Sequence, residues 1–275
     1  MDANAWLTPI HRGLLYKEWL AHRNVIVGFW ALWLACGLVL PVFHHPGWIL
    51  ALGLLYVFLV AARVAGADAL DGSEEFAFAL PPTRRQIFLV RLALAGGNLA
   101  ALLAIGLLCI ALDLPQRLWG LVVESGLTEP FPHAEGPWYA FACCTPLAVF
   151  ACVFVLAALA RTPARVGLAS ILGLLGAGVA TGVALAAEAV VWYAVHFRPS
   201  AVSTAEDLTW KGPTGLIACP ALLVLAAAIL GLGLVFYERK EGVSRPGAPE
   251  AASGFRWWIW IVVALLVVLG LVFLM

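Results

Sequence analysis

The sequence predicts an all-α membrane protein that crosses the bilayer several times, and three observations carry that expectation. Hydrophobic residues make up 63% of the 275 residues and charged residues only 12%, a balance outside that of soluble globular domains. The apolar residues gather into seven runs, each about long enough as a helix to cross a hydrocarbon core of roughly 30 Å. Spanning strands would be shorter and would alternate in polarity, which these runs do not. The third observation is the placement of positive charge. With the N-terminus in the cytoplasm, only Arg117, Arg198 and Lys211 fall on the outer side, and the other thirteen of the sixteen Lys and Arg residues fall inside. So strong a bias sets the orientation and supports the span count. An odd number of crossings then places the C-terminus outside.

The elements follow in order. Residues 1–24 form a cytoplasmic lead-in in which Trp, Leu and Ile mix with Arg12, Lys17, Glu18 and Arg23, a composition suited to a helix lying in the inner headgroup layer. Residues 25–236 form a six-span core, with runs at Val25–Phe43, Trp48–Val64, Ile87–Leu112, Trp138–Ala160, Val166–Val195 and Leu216–Phe236. The first run starts too late and is too long for a cleavable signal, so it is expected to remain as an uncleaved insertion signal. The short connection His44-His45-Pro46-Gly47 makes the first two spans an antiparallel hairpin. Neither outer loop, 113–137 or 197–215, is long enough for an independent receptor or enzyme domain. Residues 237–256, rich in Gly, Pro, Ser and charge, read as a flexible cytoplasmic linker to a seventh span at 257–275. Trp19, Trp48, Trp119, Trp138, Trp192, Trp210, Trp257 and Trp258 lie near span ends, where an amphipathic ring suits the headgroup layer. Trp30 and Trp33 lie deeper and are expected to pack.

Several functions are disfavoured by composition and motif. A net charge of zero offers no electrostatic footprint for nucleic acid. None of the three lysines, Lys17, Lys211 and Lys240, follows a glycine as a phosphate-binding loop requires, so any ATP-driven role needs another polypeptide. Cys36, Cys109, Cys143, Cys144, Cys152 and Cys219 all lie within or at the edge of apolar runs and include no Cys-x-x-Cys pair, which makes them small buried apolar residues rather than a metal set or a disulfide framework.

The segment between the second and third spans, about residues 65–91, is where the chain concentrates its charge. Asp71 or Ser73 can cap a short helix whose first turn holds Glu74 and Glu75 at the positive end of the helix dipole. Phe76 and Leu80, four residues apart, share a face. Pro81-Pro82 stops that helix, and Thr83-Arg84-Arg85-Gln86 has the form of a capping box opening the next. A short helix with an apolar edge and charged flanks is a shape that docks in a partner's groove. The plain alternative is a solvated loop whose arginines satisfy the positive-inside bias.

Asp71-Gly72-Ser73-Glu74-Glu75-Phe76, followed by Leu80-Pro81-Pro82-Thr83-Arg84-Arg85-Gln86-Ile87 and Arg91, resembles the loop after the second span of type-2 ABC exporter permeases. The lead-in with Lys17-Glu18 is similar to that family's connecting helix. The resemblance covers about Leu14 to Arg91 in motif detail and the remainder only in span rhythm. It implies a permease subunit in the cell (inner) membrane, paired with a second permease copy or a homologue. Separate ATP-binding cassette subunits, which carry the ATP and magnesium, would seat on Asp71, Ser73, Glu74, Glu75, Phe76, Leu80, Pro81, Arg84 and Arg85. No catalytic residue and no cofactor is expected in this chain. The seventh span departs from the six of the family core.

Within the spans, Glu188 is the one acid well inside an apolar run and is a candidate for a translocation path, against an interfacial position near the span end. Asn98 is grouped with it and can also hydrogen-bond to a neighbouring helix. Gly178 and Gly182 have the small-x-x-x-small spacing that lets helices approach, within a subunit or across a dimer. Two other classes compete with transport. An intramembrane metalloprotease of the Glu-Glu-x-x-x-Arg type would need Arg where Ala79 stands, and His44, His45, His133 and His196 lie across the bilayer from Glu74 and Glu75. A non-catalytic scaffold is the third class, and few polar span positions favour a channel.

Overall fold

The computed structural model describes residues 9–39, 47–71, 83–111, 136–196 and 217–239, all helical apart from a turn at Gly66 and short non-helical stretches at 83, 160–162 and 217. Helix α1 runs without interruption over Pro9–Val39. Helix α2, Gly47–Ala65, carries a π turn at Val57–Ala61, and after Gly66 a short α3 follows at Ala67–Asp71. Helix α4 is Arg84–Ala111, α5 Gly136–Leu159, α6 Pro163–His196 and α7 Ala218–Arg239. Five of these, α2, α4, α5, α6 and α7, are long and apolar enough to cross a membrane. The chain is a helical multi-pass membrane protein.

The first and last expected spans stand apart from these five. Helix α1 contains the lead-in and the described part of the first apolar run as one rod, with no break near Asn24. A helix continues wherever nothing interrupts its hydrogen-bond ladder, and no Gly-Pro or capping signal separates the charged first half from the apolar second. The run 257–275, most of the linker 237–256, residues 113–135 of one outer loop and the whole of the other, 197–215, lie outside the described residues.

Helices α2 and α5 form the centre, each mostly buried, whereas α4, α6 and α7 present much of their length outward. Helix α5 packs most extensively, against α7 and α6 and along α2. The outward surface is apolar: Leu168, Leu172, Leu175, Val179 and Val183 on α6 and Val224, Leu232 and Phe236 on α7 are all exposed. Such a surface is unfavourable in water and natural in lipid, which adds chain-to-lipid contacts instead of hydrating hydrocarbon.

Close contacts are made where side chains are missing. Gly53 of α2 receives the ring of Pro146 from inside α5, so close that an added Cβ would lie 2.7 Å from Pro146 Cγ. Gly66 abuts Val166, Gly173 abuts the backbone of Val153, and Gly233 abuts Val155. Small residues let backbones approach and gain dispersion contacts, the main attraction between helices in a lipid solvent. The expected pair Gly178 and Gly182 is not among these contacts: a Cβ at either position would meet nothing within 4 Å among the described residues.

Aromatic packing finishes the core. Trp33 is 1% exposed and meets Trp48 edge-on at 5.8 Å between ring centroids. Phe88 of α4 touches Phe154 of α5 at 5.3 Å and Tyr237 of α7 at 5.4 Å. The start of α4 and the ends of α5 and α7 therefore share one end of the bundle, and the starts of α5 and α7 share the other.

Candidate functional site: a buried ion cluster at the root of the charged loop

Arg91 lies two turns into α4 and is 4% exposed. Its guanidinium grips Asp68 of α3 through two parallel hydrogen bonds, Nη1 to Oδ2 and Nη2 to Oδ1, each 2.7 Å. From the other side Nε and Nη2 donate to Glu18 Oε1 of α1, at 3.2 and 3.1 Å. Glu18 and Asp68 are 4% and 8% exposed. His22, one turn further along α1, places Nε2 3.6 Å from Glu18 Oε2, an ion-pair distance rather than a hydrogen bond. A planar fork with several fixed donors suits this task, and a lysine could hold only one of the two acids as well.

The electrostatics explain why these three charges tolerate burial. Burial alone raises the Glu18 carboxyl, but His22 and the charge of Arg91 outweigh it and hold the group below its ordinary value. Two carboxylates share one guanidinium, so the set carries one net negative charge unless His22 is protonated. With all oxygens facing donors or the imidazole, desolvation is compensated within the cluster.

Local sequence places each member. Helix α2 ends at Gly66, whose backbone N–H donates to Ala62 O at 3.0 Å, and the chain restarts as α3 with Asp68 pointing inward. On the far side of the loop the anticipated capping box is present. Thr83 N donates to Gln86 Oε1 at 2.8 Å and Gln86 N donates to Thr83 Oγ1 at 3.3 Å. That cap fixes the start of α4, and two turns later Arg91 faces Asp68. The root of the loop is thus closed on both sides and fastened to α1. Exposed Arg85 adds a long contact at 3.9 Å to Glu238 of α7, worth little at such exposure.

Of the residues expected to meet a partner, Asp71 closes α3 and is exposed, Arg84 and Arg85 open α4, and Ser73, Glu74, Glu75, Phe76, Leu80 and Pro81 lie outside the described residues. Glu188 is 2% exposed, and its Oε2 accepts the backbone N–H of Ala218 at 2.8 Å. It caps the first turn of α7, where the N–H groups have no partner within the helix. Asn98 donates to Leu94 O at 2.7 Å and accepts the indole N–H of Trp30 at 3.0 Å, the helix-to-helix bond anticipated for it. Both polar groups therefore tie helices together.

The ion cluster itself was not anticipated, although its signal is in the sequence. Arg91 stands inside the third apolar run and Asp68 four residues past Val64. Charges at such depth need partners of opposite sign. What the sequence withholds is that Glu18, from a segment read as lying in the headgroup layer, is the third member. Among the described residues no group of His, Cys, Asp and Glu is arranged to hold a metal ion. No protein-family model, curated protein or solved structure matches the chain.

Proposed function

We propose that this chain is the membrane-spanning permease subunit of an ATP-driven transporter of the ABC type, an exporter, working with separate ATP-binding subunits. The observation that carries the reading is the closure of the charged loop at its root by Arg91, Asp68 and Glu18. A loop that only connected two spans would have no use for a buried triple ion contact, which is costly to assemble and confers rigidity more than stability. A loop that receives force from a soluble partner needs a stiff attachment. Here any displacement of residues 72–82 bears on α1 and α4 together, because one guanidinium holds both flanks of the loop and α1.

In this reading Glu74, Glu75 and Phe76 meet the ATP-binding subunit, Arg84 and Arg85 stand beside the contact, and Gly178 and Gly182, open on the lipid side of α6, meet a second permease copy or a homologue. ATP and magnesium reside on the partner. The loop faces the cytoplasm of a cell whose inner membrane holds the bundle.

The test is recovery of the partner. Purified from its native membrane, the chain should bring down a phosphate-binding-loop ATPase in stoichiometric amount. Glu74→Arg with Glu75→Arg, or Phe76→Ala, should lower that recovery at least tenfold while the amount of this protein in the membrane stays constant. Undiminished recovery with these variants would rule the loop out as the contact.

A further inference from the structure

We propose that His22 is a proton-binding site of the ion cluster, and that the proton it takes up fastens α1 to the root of the charged loop. The imidazole is 5% exposed, and neither Nδ1 nor Nε2 has a hydrogen-bond partner among the described residues. An imidazole carries an N–H donor in either charge state, so a ring buried without partners forfeits a bond that water would have given it. Buried polar groups are normally satisfied, and one that is not calls for an explanation. Nε2 stands 3.6 Å from Glu18 Oε2. Arg91 bonds Glu18 through Oε1 and Asp68 through both oxygens, so Oε2 is the carboxylate oxygen of the cluster that the guanidinium leaves open.

The charge count supplies the reason for a histidine at this position. Among the described residues Glu18 and Asp68 pair only with Arg91 and His22. With a neutral ring, two carboxylates share one cation, and the excess negative charge lies where Glu18, Asp68 and Arg91 are each at most 8% exposed. A buried charge without a counter-charge is costly. A proton on His22 makes two cations and two anions, a neutral set. The other titratable groups at this end pair with neither acid. Lys17 and Arg23 of α1 and Asp71 of α3 are exposed, Arg63 near the end of α2 is half-buried, and Tyr237 of α7 packs on Phe88, one turn before Arg91.

Uptake needs no partner molecule. A proton from the water at this end of the bundle adds to the ring nitrogen that lacks one, no bond between heavy atoms forms or breaks, and the site gains one positive charge. Nε2–H then faces Glu18 Oε2 one turn earlier on the same helix and can close to a charge-assisted bond of about 2.8 Å. The effect reaches beyond α1. In the unprotonated set Glu18 and Asp68 repel each other across Arg91, and separation of α1 from α3 and α4 relieves that repulsion. The proton offsets it. Helix α1 is therefore held most firmly on the acid side of the interval, about pH 5 to 8, in which an imidazole ordinarily changes charge. Glu18, held below its ordinary 4.5, stays ionised throughout that interval.

The test uses the full chain in lipid nanodiscs, with isotope-labelled nitrogen in the histidine rings. From about pH 8 down to about pH 5, NMR should show the His22 ring pass from one protonated nitrogen to two, its signal being identified by loss in His22→Gln. Over the same interval the wild-type thermal midpoint should rise by about 2–4 °C, because a proton held by the fold stabilises it and that contribution is lost as pH rises. His22→Gln should remove the rise by deleting the site, and Glu18→Gln by deleting the charge it balances. Arg23→Gln, on the exposed side of α1, should keep it. If His22→Gln fails to accumulate, replacing the other five of the six histidines by glutamine leaves His22 as the single ring signal. A ring with one protonated nitrogen throughout, or the same rise in Glu18→Gln as in wild type, would overturn the assignment. No reading depends on an ATP-binding subunit, so the outcome is separate from the proposed transport role.

Discussion

Arg91 holds two carboxylates where water cannot hydrate them, and this makes it the side chain whose loss should hurt most. Arg91→Met removes the guanidinium and leaves Asp68 and Glu18 buried without a cation, at a cost of about 3–5 kcal/mol. In a thermal unfolding series in detergent the single variant should fall well below wild type. Adding Asp68→Leu and Glu18→Gln to Arg91→Met should recover much of the loss, since no buried charge is then left unpaired. Equal stability of the single variant and wild type would show that the cluster contributes nothing to the fold. The sign of the pH effect follows from Glu18, whose carboxyl is held below its ordinary 4.5. Its stabilising contribution is complete above that value and is lost as pH falls through the lowered value. Acid should therefore weaken the wild type in that window, and Glu18→Gln should flatten the response. Reading charges one at a time from the sequence gave them only sides of a membrane. That Arg91, Asp68 and Glu18 meet depends on α1 lying against α4, a tertiary fact with no local signature.

Helices were the most legible feature, because a run of apolar residues long enough to cross lipid has few other ways to satisfy its backbone. The Thr83–Gln86 capping box was equally plain, since its signal is complete within four residues. Contacts between helices were less so. The sequence pointed to Gly178 and Gly182, yet the tight crossings use Gly53, Gly66, Gly173 and Gly233. Spacing alone does not say which face of a helix meets a neighbour. The two walls at α5 differ in kind, which gives a discriminating experiment. A Cβ at Gly173 would lie 2.9 Å from Val153 Cα and 3.0 Å from its backbone N, and backbone does not yield. At Gly233 the obstacle is only the Val155 side chain. Gly173→Ala and Gly233→Ala should each destabilise by about 1–3 kcal/mol through overpacking. Val155→Ala should rescue Gly233→Ala, and Val153→Ala should fail to rescue Gly173→Ala, as read by thermal unfolding of the four variants and the two pairs. Rescue of both would mean that Val153 Cγ2, 2.8 Å from the added Cβ, and not the backbone behind it, is the obstacle at Gly173.

At the scale of the whole molecule, what decides topology is whether α1 crosses the membrane. Its described apolar part, Val25–Val39, is about 22 Å long as helix, short of a hydrocarbon core of roughly 30 Å. The apolar run continues through Phe43, and the charges of Glu18 and His22 are folded into the ion cluster instead of facing lipid. A helix that hides its charges against α3 and α4 can pass its apolar half through the bilayer without exposing an ion. The expectation is therefore that α1 crosses, with the 40–46 connection outside and residues 72–82 inside. A paired reporter measures this directly: alkaline phosphatase is active only outside the cytoplasm and green fluorescent protein from a non-exported fusion is fluorescent only within it. Phosphatase inserted after His44 should be active, and inserted after Gly72 inactive, with fluorescence following the reverse pattern. The positive-inside bias predicts the same assignment, since Arg12, Lys17 and Arg23 precede the first span, Arg84 and Arg85 precede the third, and Arg91 stands at the inner end of the third. If the pattern is reversed, with phosphatase inactive after His44 and active after Gly72, α1 does not cross, the parity of every later span inverts, and the charged loop faces away from any source of ATP.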